Sequence, residues 1–535
     1  MTDDVLLYNG LFHTLDPQRP VASALWARDG RIVATGSDDE VRALAGHVAR
    51  EQAVDLGGRA VLPGLIDAHL HFEWYSLGLA NVEAETATLA ECLERVRAKA
   101  AATPPGRWVS GMGWNQNAWG GQFPTAAHLD SVAPEHPVML RAKSGHAAWA
   151  NTFAMRLAGV SAASADPTGG QIQRDIAGDG APTGIFFEDA MQLIDRCLPE
   201  ASAEDVAGAM LQAQSNAWRA GLTGIHDFDG RRSFTALQLL KERGQLGLRV
   251  VKQIKVPHLA DAIGVGLRSG FGDDWLRIGN IKVFLDGALG PRTASMIGPY
   301  EGEPDNYGIV VTDKEQLYEF ATQAAANGLA MTVHAIGDKA NHDLLDVYTT
   351  LRAEERGRGQ PPLRHRCEHV QVLHPDDARR LGQLNVVASM QPIHATSDML
   401  MADRYWGPRS ALAYAWRTQL EAGATLAFGS DCPVESFNPF WGLHAAVTRR
   451  RADGTPGPDG WYPQQRLDVE TALRGFTLGA AYAGYSEDRL GSLAPGKLAD
   501  LVVIDRDIFT IDPMAIQDTQ VLGTLVGADW KYRAF

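Results

Sequence analysis

Eight short apolar runs recur along this 535-residue chain, and each gives way to polar residues. They fall at 65–71, 221–228, 248–255, 278–286, 329–334, 363–369, 385–390 and 425–431. Buried parallel strands read this way, as near-continuous Val/Ile/Leu stretches followed by helices. Most intervals can hold a helix and its loops; residues 315–327, with Leu317, Phe320 and Ala324 in helical spacing, are one case. The alternation predicts the α/β class and a (β/α)8 TIM-like barrel.

One interval breaks the rhythm. Residues 72–220 separate the first run from the second, and they carry strand-like pieces of their own at 108–114 and 137–144 and turn-rich stretches at 166–170 and 178–184. An inserted subdomain at about residues 75–205, following strand 1, is the economical reading. The chain ends form a second exception, with short strand-like segments at 5–8, 24–28, 31–36 and 53–55 and again at 501–504 and 521–526. Isolated hairpins are marginal in water. The expectation is therefore one β-sandwich built by both termini, residues 1–60 and 485–535, packed beside a barrel domain spanning 61–484.

Chemistry-bearing residues gather at the ends of the runs. In Asp67-Ala68-His69-Leu70-His71, strand alternation projects both histidines from one face with Cα atoms about 7 Å apart, within reach of one metal ion. Taken alone, the pair also fits two satisfied polar residues. In the fourth run Lys282 shares a face with Phe284 and Asp286, and a bare buried ammonium is costly. A salt bridge to Asp286 would relieve it. So would carbamylation, in which the neutral amine takes up CO2 and becomes an anionic oxygen pair able to bridge two metal ions. His334 and His369 end the fifth and sixth runs, and Asp431 ends the eighth on a face shared with Thr425, Ala427 and Gly429. Barrel active sites are built at C-terminal strand ends. Four histidines, a lysine and an aspartate at such ends point to a metal centre.

Other residues carry two readings. His365 shares parity with His369, but His369 lies nearer the strand end. Trp114, Asn115, His146, His226 and His394 are candidates for substrate contact. Their plainer roles are packing, turn capping or structural hydrogen bonding. Asp67 is expected to orient a ligating imidazole, whereas Glu368 has the wrong parity for a ligand.

Composition removes several functional classes. The balance of 49 basic against 64 acidic residues gives a net charge of −15 with no basic block, which argues against nucleic acid and acidic membranes as partners. The four cysteines, Cys92, Cys197, Cys367 and Cys432, form no C-x-x-C pair, so neither a disulfide framework nor a zinc knuckle is written here. The start Met1-Thr2-Asp3-Asp4 lacks signal-peptide features, and no apolar run nears the ~18 residues that span a bilayer. A reducing cytoplasm is the expected setting.

The segment Leu62-Pro63-Gly64-Leu65-Ile66-Asp67-Ala68-His69-Leu70-His71 and the closing Gly491-Ser492-Leu493-Ala494-Pro495-Gly496-Lys497-Leu498-Ala499-Asp500 carry a further signal. Together with Gly113-Trp114-Asn115, Ser144-Gly145-His146-Ala147, Lys282 through Gly287, and Met390-Gln391-Pro392, they resemble the metal-dependent amidohydrolase superfamily. Within it they are similar to the YtcJ-like branch that includes N-substituted formamide deformylases, over essentially the whole chain. The resemblance implies that His69, His71 and Asp431 hold one metal, that His334 and His369 hold a second, and that carbamylated Lys282 bridges them. Zinc suits such donors, as do Mn, Fe and Co. The implied reaction is cleavage of a non-peptide C–N bond in an amide, N-substituted formamide or cyclic amide by metal-activated hydroxide, with Asp431 as the catalytic proton carrier. Lactone, ester or phosphoester hydrolysis on the same metals is the alternative within enzymes. A mononuclear deaminase would want a catalytic Glu after the strand holding its third His, a signal this sequence lacks. A catalytically inactive regulatory or binding barrel is the alternative of another class. The expected partners are a small-molecule substrate and, by default, a second copy in a symmetric dimer.

Overall fold

The chain is seen in a computed structural model that describes residues 4–46, 48, 52–142, 147–167, 170–175, 178, 180–290, 292–359 and 361–535. Its centre is a sheet of eight parallel strands: β1 (Leu65–Leu70), β2 (Leu222–Asp227), β3 (Arg249–Lys255), β4 (Leu276–Phe284), β5 (Met331–Ala335), β6 (Arg366–His369), β7 (Val387–Met390) and β8 (Leu426–Phe428). They neighbour one another in chain order. Every residue of β1, β2, β5, β6, β7 and β8 is buried, as expected for strands covered on both faces. Helices fill the intervals, among them Arg231–Glu242, Lys314–Ala326, Asp338–Gly357 and Pro392–Trp406. Helix Lys314–Ala326 is capped by Asp313, whose carboxylate accepts the Gln316 N–H, and it buries Leu317, Ala321, Ala324 and Ala325. That spacing of three and four puts one stripe against the sheet.

The ring closes just beyond β8. Leu70 bridges in parallel to Cys432, the Asp431 N–H donates to the His69 carbonyl at 2.7 Å, and the His71 N–H donates to the Cys432 carbonyl at 2.8 Å. Gly429 permits this approach, since a Cβ there would lie 2.5 Å from the His69 nitrogen and 2.7 Å from an Asp67 carboxylate oxygen.

Strands from the two ends of the chain pair directly. Leu501–Ile504 runs antiparallel to Ala60–Pro63 inside a six-stranded sheet that also holds Leu11–His13, Val21–Ala22, Val521–Val526 and Asp529–Arg533. A four-stranded sheet is made by Arg31–Gly36, Ala24–Arg28, Asp4–Tyr8 and Ala53–Asp55. One apolar cluster draws on both, with Leu7, Leu25 and Ile32 from the smaller sheet and Phe12, Val61, Leu501, Val503 and Leu525 from the larger. The barrel is tied to these strands at Asp500, whose carboxylate receives Arg249 of β3 at 2.7 Å and the Gly527 N–H at 2.8 Å.

Residues 76–205 form a compact unit of their own. A six-stranded sheet runs in the order Gly170–Arg174, Pro182–Glu188, Ala147–Ala150, Val138–Ala142, Val109–Trp114, Val82–Glu83, with antiparallel and parallel pairings mixed. Trp114, Trp149, Leu140, Ile185 and Val96 lie in one of its cores. Among the described residues, no helix of the chain is long and apolar enough to cross a membrane.

Candidate metal centre

Strand alternation carries His69 inward from β1, and His71 follows one residue past the strand end. Asp431 reaches the same point from the turn after β8, with its Oδ1 3.6 Å from His69 Nε2 and 3.5 Å from His71 Nε2. These three residues offer ligand atoms within 4.8 Å of one another. The strand-parity reading of Asp431 needs correction. β8 stops at Phe428, and Asp431 sits in left-handed backbone at φ 59°, so the ring closure rather than a strand face aims it. His369 is likewise left-handed, at φ 73°. Such conformations are uncommon outside glycine and concentrate at functional sites.

The hydrogen-bond partners decide which nitrogen each imidazole presents. Carboxylates and amide carbonyls accept only, so the ring nitrogen facing one must bear the hydrogen. His69 Nδ1–H donates to Glu368 Oε2 at 2.6 Å, His71 Nδ1–H to Asp229 Oδ1 at 3.0 Å, and His369 Nδ1–H to Gln391 Oε1 at 2.9 Å. In its neutral form each of these rings is left with a lone pair on Nε2. His334 is reversed: its Nε2–H donates to the Gly287 carbonyl at 2.9 Å, which frees Nδ1. Its ring centroid is 4.5 Å from that of His369, and the His369 ring is 4.9 Å from His69. Among the described residues, however, the ligand group that contains His369 is completed by His394 and Asp431.

Burial, reinforced by the charges of Lys282 and neighbouring histidines, holds His69 well below the ordinary imidazole range and pushes His334 down to about 3. His369 is also pushed well down, by burial and then by His334, His69 and Lys282. His71 runs the other way, because the Asp229 hydrogen bond and the Asp431 charge outweigh its burial. Neutral imidazoles beside a carboxylate are the donor chemistry that divalent ions take.

Lys282 of β4 is buried and forms no ion pair among the described residues; its Nζ lies 4.7 Å from the Phe228 ring centroid and 4.6 Å from that of Phe284. Burial pushes it down to about 8, against the upward pull of Glu368 and Asp431. The bridge to Asp286 is absent. Asp286 instead accepts the backbone N–H groups of Ser295, Ile336 and Gly337.

Several expected roles are redistributed. Among the described residues Asp67 orients no imidazole; it accepts the His69 and Ser430 backbone N–H groups and the Ser430 hydroxyl, fastening the ring closure. The orienting carboxylates are Glu368 and Asp229. Glu368 has non-ligand parity for just this reason, since it points back at the ring of His69. Asp229, missed in the sequence, stands two residues past β2, where alternation no longer guides. His226 is no free pocket group: it is buried within the barrel, where its Nδ1 accepts from Arg366 at 2.8 Å. Trp114 packs in the core of the 76–205 unit, its indole N–H donated to the Leu140 carbonyl. Asn115 lies in that same unit, just after Val109–Trp114, and His146 falls outside the described residues. His365 is saturated by Glu355 and the Met331 N–H, which leaves His369 as the β6 histidine near the others. Phe228, stacked on the His69 ring at 3.7 Å, had no local signal.

The chain is similar to known proteins over nearly its whole length. The family described as the amidohydrolase family matches residues 52–528. The protein LONG AFTER FAR-RED 3 of Arabidopsis thaliana is 34% identical, over 99% of this chain and 91% of its own. The putative amidohydrolase YtcJ of Bacillus subtilis (strain 168) is 31% identical over 98% of both chains. The N-substituted formamide deformylase of Arthrobacter pascens is 28% identical over 99% of this chain and 98% of its own. Among solved structures, an uncharacterized metal-dependent hydrolase from Pyrococcus horikoshii OT3 superposes with a TM-score of 0.79 at 26% identity, covering 95% of this chain and 99% of that one.

Proposed function

The chain belongs to the amidohydrolase family of metal-dependent hydrolases, and from that premise we propose that it cleaves a non-peptide C–N bond, with an N-substituted formamide as the first substrate to test. The observation that carries the reading is the set of donors with fixed tautomers. Three imidazoles, those of His69, His71 and His369, are oriented by Glu368, Asp229 and Gln391, and all three belong to ligand groups that include Asp431. His69, His71 and Asp431 would hold one divalent ion and His334 and His369 a second, with zinc the best match to these donors. Bound ions of this kind polarise a substrate carbonyl and make water more acidic.

The chain's own residues supply the rest. Lys282, as a neutral amine, adds to CO2 with formation of an N–C bond and loss of one proton to solvent. The resulting carbamate oxygens complete the ligand set. The Asp431 carboxylate takes a proton from the attacking water and returns it to the departing nitrogen, because amide cleavage needs leaving-group protonation as much as attack.

The test combines metal analysis with a substrate panel of N-substituted formamides, cyclic amides, lactones, esters and phosphotriesters. Metal-containing protein that turns over amides with the highest kcat/KM supports the reading. Preference for lactones or phosphotriesters with no amide turnover overturns it. Asp431→Asn is expected to lower kcat by about 10³-fold or more while leaving the unfolding transition in place, and near-normal turnover would remove Asp431 from proton transfer.

A further inference from the structure

Beside the centre lies a group of buried polar atoms that the reading above leaves unused. Gln371, Gln391 and His394 are 4%, 2% and 6% exposed, yet Gln371 Oε1, Gln391 Nε2 and His394 Nε2 have no hydrogen-bond partner among the described residues. Buried polar groups are otherwise nearly always paired, so three orphans in one place are evidence of something that arrives. All three residues flank His369. Gln391 gives that ring its carbonyl oxygen, the His394 ring is parallel to it at 6.3 Å, and His394, His369 and Asp431 bring ligand-type atoms within 4.8 Å of one another.

The partners already made fix what the orphans offer. Gln391 must turn its carbonyl to His369 Nδ1–H, so its NH2 group is the free end. Gln371 donates its amide N–H to His394 Nδ1 at 3.3 Å, so the neutral ring keeps its hydrogen on Nε2, and a nitrogen bearing hydrogen donates rather than coordinates. The free Gln371 Oε1 is an acceptor, whereas the free atoms of Gln391 and His394 are donors. They also stand at the N-terminal end of the fifteen-residue helix Pro392–Trp406, where Gln391 is the cap residue but makes no side-chain cap bond; that end of a helix favours negative charge.

We propose that His394 and Gln391 form a donor pair that binds the reacting carbonyl oxygen of the substrate and stabilises the negative charge it gains during hydrolysis, with Gln371 as the positioning residue that fixes the His394 tautomer. The proposal rests on the hydrolase reading but not on the choice of an amide, because lactones and esters develop charge on the same oxygen. Preorganised donors of this kind strengthen as charge develops.

The experiment uses metal-loaded full-length protein with His394→Leu, His394→Gln and Gln371→Leu. His394→Leu is expected to lower kcat by about 10²–10³-fold, the usual loss for one such donor, on whichever panel substrate the wild type cleaves. KM should move little and metal stoichiometry should stay unchanged. His394→Gln, which keeps an N–H at similar reach, should recover part of the loss, and Gln371→Leu should fall between the two. Formate binding, measured calorimetrically, is a readout independent of turnover and should weaken in His394→Leu. Unchanged kcat together with unchanged formate affinity would overturn the proposal. So would loss of one metal equivalent in either His394 variant, because His394 would then be a ligand. A wild type that cleaves lactones but no amides defeats the amide reading alone, leaving the donor pair to be judged on the lactone.

Discussion

The behaviour of single residues here is governed by what surrounds them in the dry centre of the barrel. Lys282 illustrates it: a lysine on an inward strand face was readable from alternation, but its lack of a carboxylate partner depended on Asp286 being taken up by backbone N–H groups from other segments. Lys282→Ala is expected to lose metal and activity together, with partial restoration by acetate or propionate. Reconstitution of metal-free wild type should likewise require bicarbonate. Full activity regained in bicarbonate-free buffer would exclude the carbamate. Glu368→Gln addresses the orienting shell. Burial would raise the Glu368 carboxyl, but Arg366 and Lys282 hold it below the usual range, so it is ionised where it meets His69. Neutralising it should weaken metal affinity about 10–100-fold, read by chelator competition, and unchanged affinity would assign His69 another orienter.

At the scale of the element, apolar runs located every barrel strand to within a few residues, because strands covered on both faces leave an uninterrupted hydrophobic signature. Alternation served well inside those strands and failed beyond them. His69, Lys282 and His334 lie within or at β1, β4 and β5, and parity placed them. Asp229 and Asp431 lie past strand ends, where turn geometry aims the side chain. Gly429 shows how tightly that geometry is set. Gly429→Ala would push a methyl group into the β1 backbone at His69 and should cost about 1–3 kcal/mol by overpacking, measured as a lower urea midpoint, with metal released at lower denaturant than wild type. A midpoint equal to wild type would mean that the closure yields more than the close approach implies.

For the whole molecule, the terminal strands and the barrel are joined by a pair of charges with almost no access to water. Arg249 and Asp500 are 6% and 5% exposed, and burial that would lower the arginine is outweighed by the Asp500 charge, which raises it. Removing one member leaves the other buried and unpaired. Arg249→Met should therefore destabilise by about 3–5 kcal/mol, and Arg249→Met with Asp500→Leu should recover much of that loss. A urea double-mutant cycle checks it, and additive losses would mean that the two side chains act independently.

The sequence by itself determined the barrel rhythm and the residue types gathered at its strand ends, because both are written in local periodicity. Its apolar and polar alternation also marked residues 72–220 and the two chain ends as departures from that rhythm. Only the tertiary structure decided which atoms those residues present. The tautomer of each histidine depends on an acceptor delivered from another strand or turn: Glu368 for His69, Asp229 for His71, Gln391 for His369. Hydrogen bonds between segments 22 to 299 residues apart leave no periodic trace in the chain, and they are what turn a set of histidines into an ordered set of donors.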